Sequence, residues 1–357
     1  MEKIRIGSIG IGNVNRAVHL PGIAKSPDLE LAAVCDIRPE ALEYAQKTYG
    51  VAPEYCFTDY HELLACPLVD AVDIATPNYL HFEIAMAAVA AGKPYSVEKP
   101  MTMDAAQAEI LEKATKEAGL KSMVCFSYRY RAAARYARDL IRQGVLGKLY
   151  HIDMQYYQAW GLPRFNTPRV WRFEKALTGS GALGDLGSHG LDLIRFVSGQ
   201  EITRLTGHTG TFTAARRSLQ GEGMELVDVD DFSNCMGELS DGAAMTMRIT
   251  RFGYGRGNYQ VMEIYGEKGA MTYSLDISGK GMDKLEVCLD PLGYENHLFT
   301  EVPVPARYHM DQMQSFANLL LDKGDGLTAS VCDGRINMRT VDAMLASAQD
   351  GAWKELP

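Results

Sequence analysis

The sequence predicts an α/β domain on a parallel sheet, followed by an α+β domain of mostly antiparallel strands. Three observations point there. Short apolar strand-like runs alternate with helical ones through the first third, a glycine turn follows the first run, and after Phe126 the texture changes to longer alternating runs separated by turns.

In the first third the strand-like runs are Ile4 to Ile9, Leu31 to Cys35, Ala71 to Ala75, Tyr95 to Val97 and Ser122 to Phe126. Helical patterns from Glu40 to Tyr49, His81 to Ala91 and Asp104 to Ala118 lie between them. This is the rhythm of right-handed βαβ crossovers, whose ligands gather at the carboxyl ends of the strands. Gly10, Asp36, Thr76-Pro77 and Glu98-Lys99-Pro100 all fall there. Beyond Phe126, Arg131 to Gln143 reads as a basic-faced helix stopped by Gly144, and Leu149 to Gln158 begins a new sheet. Ile202 to Phe212, Asp230 to Leu239, Ala243 to Thr250, Gln260 to Tyr265 and Ala270 to Leu275 read as antiparallel strands, with turns at Ser240-Asp241-Gly242 and Gly266 to Gly269. The tail returns to helices, Tyr308 to Lys323 and Asp333 to Gln349. The expected domains are residues 1–126 and 127–357.

The glycine turn gives the first domain a ligand. Gly10 and Gly12 fit the first two glycines of a dinucleotide fingerprint, one for the tight turn and one for close approach to a pyrophosphate, with Asn13 and Val14 completing the cradle. The third position is Asn15 where a small residue is usual, so the first helix is expected to pack slightly farther out. Asp36 ends the second strand, placed to hydrogen-bond the adenosine ribose and to repel the extra phosphate of NADP, so NAD is the expected cofactor. Arg38 either offsets that repulsion or stacks on the adenine. Thr76 and Pro77 are expected to support the nicotinamide side, and Asn78 is a further expected cofactor contact. His81 faces the same cleft or caps its helix, and Glu98 and Lys99 sit at the rim.

A proton-handling set lies farther along, in Gly184-Asp185-Leu186-Gly187-Ser188-His189-Gly190-Leu191-Asp192. Asp185 and His189, four residues apart, share a helix face, so the carboxylate can orient the imidazole. By itself such a pair is compatible with a capped surface helix. Lys99, between an apolar strand and a proline, completes a constellation able to take a proton from a hydroxyl.

A net charge of -9, with no basic run longer than Arg216-Arg217, argues against nucleic-acid and anionic-membrane partners. The seven cysteines are scattered and never form a C-x-x-C pair, which fits reduced thiols rather than disulfides or a metal site. Met1-Glu2-Lys3 leads straight into the first strand, and the longest apolar run, Ile84 to Ala91, is too short to span a bilayer. A cytoplasmic protein is expected.

The glycine turn, Asp36, Thr76-Pro77-Asn78-Tyr79-Leu80-His81, Glu98-Lys99-Pro100, Tyr128-Arg129 and the run from Gly184 to Asp192 together resemble the Gfo/Idh/MocA oxidoreductases. The resemblance implies a nicotinamide-binding Rossmann domain, a second domain with a large open, mostly antiparallel sheet, and an active site between them. It implies Lys99, Asp185 and His189 as the catalytic group, a cis peptide before Pro100, and homodimers or homotetramers built through the open sheet face, for which Met245 and Met247 supply apolar side chains. The departures are Asn15 and Ala132 to Ala134, where relatives frequently carry a proline.

The expected reaction is hydride transfer between a secondary hydroxyl of a sugar, glycoside or cyclic polyol and the nicotinamide. His189 serves as base, Asp185 holds its ring, and Lys99 polarises the same oxygen; Lys99 and His189 could exchange roles. Tyr156, Trp160, Arg164, Trp171 and Arg172 concentrate aromatic faces and donors suited to a sugar ring, with Tyr128, Arg129 and Tyr308 as further cleft residues. A packing loop is the other reading of that segment, and a helix cap the other reading of Tyr308. Two rival functions remain open: a glycosidase that oxidises its substrate transiently with bound NAD, and a non-catalytic NAD or sugar sensor.

Overall fold

The computed structural model describes residues 3–276, 283–289, 295 and 297–356. The chain divides into two compact units, Met1–Phe126 with Met310–Met338, and Ser127–His309 with Arg339–Pro357.

The first unit contains β1 (Ile4–Ile9), α1 (Leu20–Lys25), β2 (Leu29–Cys35), α2 (Pro39–Tyr49), β3 (Cys56–Phe57), α3 (Tyr60–Ala65), β4 (Ala71–Ile74), α4 (Asn78–Ala90), β5 (Tyr95–Val97), α5 (Ala105–Glu117) and β6 (Ser122–Val124). All six strands run parallel, in the order β3-β2-β1-β4-β5-β6. This is the doubly wound arrangement with its switch point between β1 and β4. Local chemistry sets the helix ends. Pro39 opens α2 and Gly50, at φ 73°, closes it. Asp104 caps α5 by accepting from the Gln107 N–H at 2.8 Å, while Gln107 Oε1 accepts from the Met103 N–H at 3.1 Å. Both faces of the sheet are covered here: every residue of β4, β5 and β6 is buried.

The second unit begins with α6 (Ala132–Arg142), β7 (Leu149–Tyr157), α7 (Lys175–Thr178) and α8 (Ser188–Ser198), then β8 (Ile202–Gly210), β9 (Ala215–Arg217), β10 (Met224–Leu226), β11 (Phe232–Leu239), β12 (Ala244–Thr250), β13 (Tyr259–Gly266), β14 (Gly269–Asp276), β15 (Lys284–Cys288) and β16 (Thr300–Glu301). After α9 (Gln312–Leu320) and α10 (Val331–Asp350), β17 (Lys354–Glu355) completes a nine-stranded sheet ordered β16-β15-β14-β13-β7-β12-β11-β8-β17. Among the described residues of this sheet, only the β12–β7 pair is parallel. Burial alternates along β11 to β14, so one face is covered and the other is open.

Two expectations are revised. Met245 and Met247 lie on the covered face, 1% and 0% exposed, and Met247 packs under α8 so closely that a Cβ at Gly190 would lie 2.8 Å from its sulfur. The tail, expected to close the second domain, is divided. Gln314 on α9 bonds Ser26 Oγ at 2.6 Å and Asp28 Oδ2 at 2.7 Å, and Arg335 on α10 pairs with Glu112 at 2.5 Å, all within the first unit. The later part of α10 belongs to the second unit, where Ser347 Oγ accepts from the Gly207 N–H at 2.9 Å.

Candidate active site

The nucleotide end of the first unit is built at the carboxyl tips of β1, β2, β4 and β5. Gly10 turns the chain at φ +90°, and a Cβ there would lie 2.8 Å from the Ala75 and Thr76 backbone. A Cβ at Gly12 would meet nothing within 4 Å, leaving open space at the start of the first helix, where Asn13 and Val14 are exposed. Thr76 Oγ1 is buried with no hydrogen-bond partner among the described residues, and Pro77 precedes the helix that Asn78 opens. An open glycine cradle at a helix N-terminus, an unsatisfied hydroxyl and an acid at the end of β2 fit a dinucleotide.

Asp36 is more engaged than its motif suggests. Its Oδ2 accepts from the Ile11 N–H and from Arg38 Nη2, each at 2.8 Å, and its Oδ1 accepts from Arg38 Nε at 2.9 Å and the Arg38 N–H at 3.0 Å. Burial works against the carboxylate, but the Arg38 bonds and the Ile11 N–H hold it below its usual range. Arg38 thus engages both oxygens of the acid at the end of β2. Asn15 is fully buried, donating to Ser8 Oγ at 2.8 Å and Asp73 Oδ2 at 3.3 Å, and the helix around it widens into a π turn over Asn15–His19. The larger side chain is thus accommodated by a wider turn.

Behind the glycine turn lies a buried set that sequence reasoning missed. His19 Nδ1 is 2.8 Å from Asp73 Oδ1, and its Nε2 is 3.0 Å from Glu98 Oε1. Glu98 Oε2 accepts from the Lys99 N–H at 3.1 Å. Burial pulls the His19 imidazole down, but attraction and hydrogen bonds from Asp73 and Glu98 outweigh it and push it up to about 10. Cys125 also approaches this cluster, in which both imidazole nitrogens are committed to carboxylates and burial pushes the thiol well up. The Lys99-Pro100 peptide is cis. His81, expected at the cofactor or as a cap, does neither. It is 1% exposed, and its nitrogens lie 2.8 Å from the Pro100 and Thr76 carbonyl oxygens, so it braces the turn after β5 instead of meeting a ligand.

In the second unit Asp185 lies on a π turn, Leu183–Gly187, that runs directly into α8 with His189 in its first turn. Asp230 anchors this start: its Oδ1 accepts from the Gly181 N–H at 2.6 Å and its Oδ2 from the Leu183 N–H at 2.7 Å. His189, 7% exposed, packs edge-on against Tyr128 at 4.6 Å between ring centroids, with Tyr156 at 6.3 Å. The two tyrosine hydroxyls are 2.6 Å apart. Tyr128 also bonds Asn258, Gln158 Nε2 donates to Tyr156 at 3.0 Å and to Asn258 Oδ1 at 2.9 Å, and Trp160 Nε1 donates to Gln158 Oε1 at 2.7 Å. Tyr128, Tyr156 and Trp160 therefore belong to one polar network beside His189, which also recruits Gln158 and Asn258.

The other expected substrate residues are dispersed. Arg129 is committed to a buried bidentate pair with Asp192, at 2.8 and 2.6 Å, so it supports α8 rather than offering donors to a ligand. The Tyr308 hydroxyl bonds Asp139 and its ring stacks on Tyr136 at 4.9 Å, fixing it to α6. Arg164 is exposed and pairs with Tyr254, while Arg172 lies over the Trp171 ring at 4.3 Å.

Residues 4–126 match the oxidoreductase family with an NAD-binding Rossmann fold, and residues 134–272 match the GFO/IDH/MocA C-terminal domain. The chain belongs to the GFO/IDH/MocA family. Like other members of that family it is an NAD-binding oxidoreductase. It is 29% identical to levoglucosan dehydrogenase of Pseudarthrobacter phenanthrenivorans, over 100% of this chain and 99% of that one. Identity to D-glucoside 3-dehydrogenase of Escherichia coli is 25%, over 99% and 97% of the two chains. Among solved structures of the GFO/IDH/MocA type, levoglucosan dehydrogenase in complex with NADH and levoglucosan superposes with a TM-score of 0.88 at 28% identity, covering 100% of both chains. No helix among the described residues is long and apolar enough to cross a membrane.

Proposed function

We propose that this protein is a dehydrogenase acting on a ring secondary hydroxyl of a sugar, glycoside or cyclic polyol. The observation that carries the reading is His189, buried in the first turn of α8, beside a network of Tyr128, Tyr156, Asn258, Gln158 and Trp160. Such a surface combines aromatic faces for C–H groups with fixed donors and acceptors for several hydroxyls. Similarity to dehydrogenases of levoglucosan and of D-glucosides supports the same substrate class.

In this reading His189 takes the hydroxyl proton, and Asp185 holds the imidazole and favours its protonated form. Lys99 polarises the same oxygen and stabilises its developing negative charge; Glu98 fixes the Lys99 backbone. Gly10, Gly12, Asn13, Val14 and Asp36 hold the dinucleotide, with Thr76, Pro77 and Asn78 at its nicotinamide side. NAD supplies the hydride acceptor when bound. General-base assistance of this kind contributes roughly two to four powers of ten in rate.

The test is absorbance of reduced nicotinamide across a panel of inositols, free aldoses, anhydrosugars and glucosides. Stoichiometric NADH release with one of them, lost in His189→Ala, is the expected result. Cleaved glycoside without free NADH, or binding without turnover across the panel, would overturn it.

A further inference from the structure

Among the arginines that the second unit buries, Arg251 is the most deeply enclosed and the proposed chemistry has not used it. Arg251, directly after β12, is 1% exposed. Its guanidinium lies 4.7 Å from the Trp160 ring centroid and 5.7 Å from that of Phe173. Nη2 is 3.5 Å from Asp185 Oδ2, Nη1 donates to the Arg172 carbonyl at 3.4 Å, and Nε has no partner among the described residues. Its backbone is pinned as well, with its N–H on the Asp231 carbonyl and its own carbonyl accepting from the Gly161 N–H, each at 3.0 Å. Two further acids are close, but Asp230 spends both oxygens on the start of the Asp185 turn, and Asp231 Oδ2 accepts from the Phe212 and Thr213 N–H groups. Asp185 is the carboxylate within 3.5 Å of the guanidinium.

We propose that Arg251 is a positioning residue that couples the Trp160 wall of the substrate site to the ionisation of the Asp185–His189 pair. The inference rests on the reading of Asp185 and His189 as the proton-transfer group. A planar cation over the indole face holds that ring in place from behind. The same charge beside Asp185 favours its ionised form and shields part of its pull on His189. One buried side chain therefore acts on substrate fit and on the strength of the base. Burial pulls the guanidinium down, but Asp185, Asp230 and Asp231 sustain its charge against Arg172.

The sign of the effect follows. Without Arg251 the Asp185 charge acts on His189 unshielded, so the imidazolium is favoured and the base becomes available only at higher pH. Among the described residues, Tyr128 from the turn before α6 and Tyr156 from β7 face Asp185 and His189, while Asp230 and Asp231 ahead of β11, with Arg172 and Arg216, surround Arg251. Burial raises both tyrosines, so they stay neutral through the assay range.

Three variants separate the two roles, each checked for retained NADH binding and circular dichroism. Arg251→Lys keeps the charge but loses the flat stacking face; KM should rise roughly three- to tenfold while the acidic limb of kcat/KM stays in place. Arg251→Met keeps the length and drops the charge; the limb should also move up by about half a unit or more. Combined with Asp185→Asn, Arg251→Met should no longer move that limb. If Asp185→Asn shifts the limb and Arg251→Met alone does not, the coupling is wrong while the functional reading stands. If Asp185→Asn itself leaves kcat and the limb unchanged, the functional reading falls first. Should Arg251→Met fail to fold, an unchanged KM in Arg251→Lys overturns the Trp160 role.

Discussion

His19 Nδ1 and Asp73 Oδ1 lie 2.8 Å apart with no exposed surface on either side chain. An ion pair so placed makes folding depend on pH. His19 is raised from its ordinary 6.5 to about 10, so its contribution is fully present below 6.5 and is lost as pH rises through about 10. Burial opposes the Asp73 charge but His19 holds that carboxyl below its ordinary 3.8, so its contribution is present above 3.8 and is lost as pH falls. His19→Gln removes one partner of a buried pair and should cost about 3–5 kcal/mol. The difference in Tm between wild type and variant should be largest between 3.8 and 6.5 and should shrink toward pH 10. A difference that stays constant across that range would show that His19 is not charged in the folded protein.

Arg38 neutralises the acid that should exclude NADP. Its side chain is 48% exposed and can swing away, whereas Asp36 is 6% exposed and fixed by the Ile11 N–H. Arg38→Ala should therefore sharpen the preference for NAD. Asp36→Ala should release the guanidinium toward a 2′-phosphate and lower the NAD/NADP ratio by about tenfold or more. Fluorescence titration with both reduced cofactors checks this, and unchanged ratios in both variants would remove Asp36 and Arg38 as the selectivity pair.

Asp230 accepts from two N–H groups at the start of the turn that carries Asp185, and Gly181 lies so close that a Cβ there would stand 2.0 Å from the Asp230 carbonyl oxygen. Asp230→Ala leaves both donors unmet and should cost about 1–2 kcal/mol of stability, as loss of a strong N-cap does. Asp230→Asn, which retains one acceptor oxygen, should cost less. Thermal melts give the stability order, and kcat should fall in the same order if the turn positions Asp185.

On the open face of the large sheet, Met236, Thr246, Asp153, Glu263 and Thr272 lie in one cross-strand row. Met236 is 54% exposed. Asp153 accepts from the Thr246 hydroxyl and Glu263 from the Tyr265 hydroxyl at 3.0 Å, which offsets part of the repulsion between these two acids on adjacent strands. If a second copy covers this face, light scattering should show a dimer or tetramer, and Met236→Asp should shift it toward monomer. A wild-type monomer at working concentration would end the idea.

What the sequence disclosed was mainly local. Strand periodicity and turn residues gave β1 and β5 to the residue, whereas β3, two residues long, and α3 carry too little pattern to register. The methionines of β12 show the limit: a period of two says that Met245 and Met247 share a face, not which face α8 covers. Asp73 was visible as an acid inside the apolar run Ala71-Val72-Asp73-Ile74, a signal that a buried partner must exist, yet nothing local named His19. Arg251, Gln158 and Asn258 join the second unit's site through pairings across the sheet, so their roles emerge only with strand register. Arg129 misled because Tyr128-Arg129 sits in a motif whose arginine is spent on Asp192.

The proposed Lys99, Asp185 and His189 set makes the strongest demand on the protein. The two carboxyl-tip contacts expected to hold the dinucleotide, at Gly10 to Gly12 and at Asp36, involve none of these three side chains. Lys99→Ala, His189→Ala and Asp185→Asn should therefore bind NADH nearly as wild type does while losing about two or more powers of ten in kcat. Groups that act on one proton fail together, so the double variant Lys99→Ala/His189→Ala should be little worse than the poorer single one. His189→Ala should also abolish or displace the acidic limb of kcat/KM, because that limb reports the free-enzyme base. Should the Lys99 and His189 variants both turn over near the wild-type rate, Asp185 and His189 form a structural pair and the base must lie elsewhere. Additive losses would instead separate Lys99 from the proton-transfer step and leave it an electrostatic role alone.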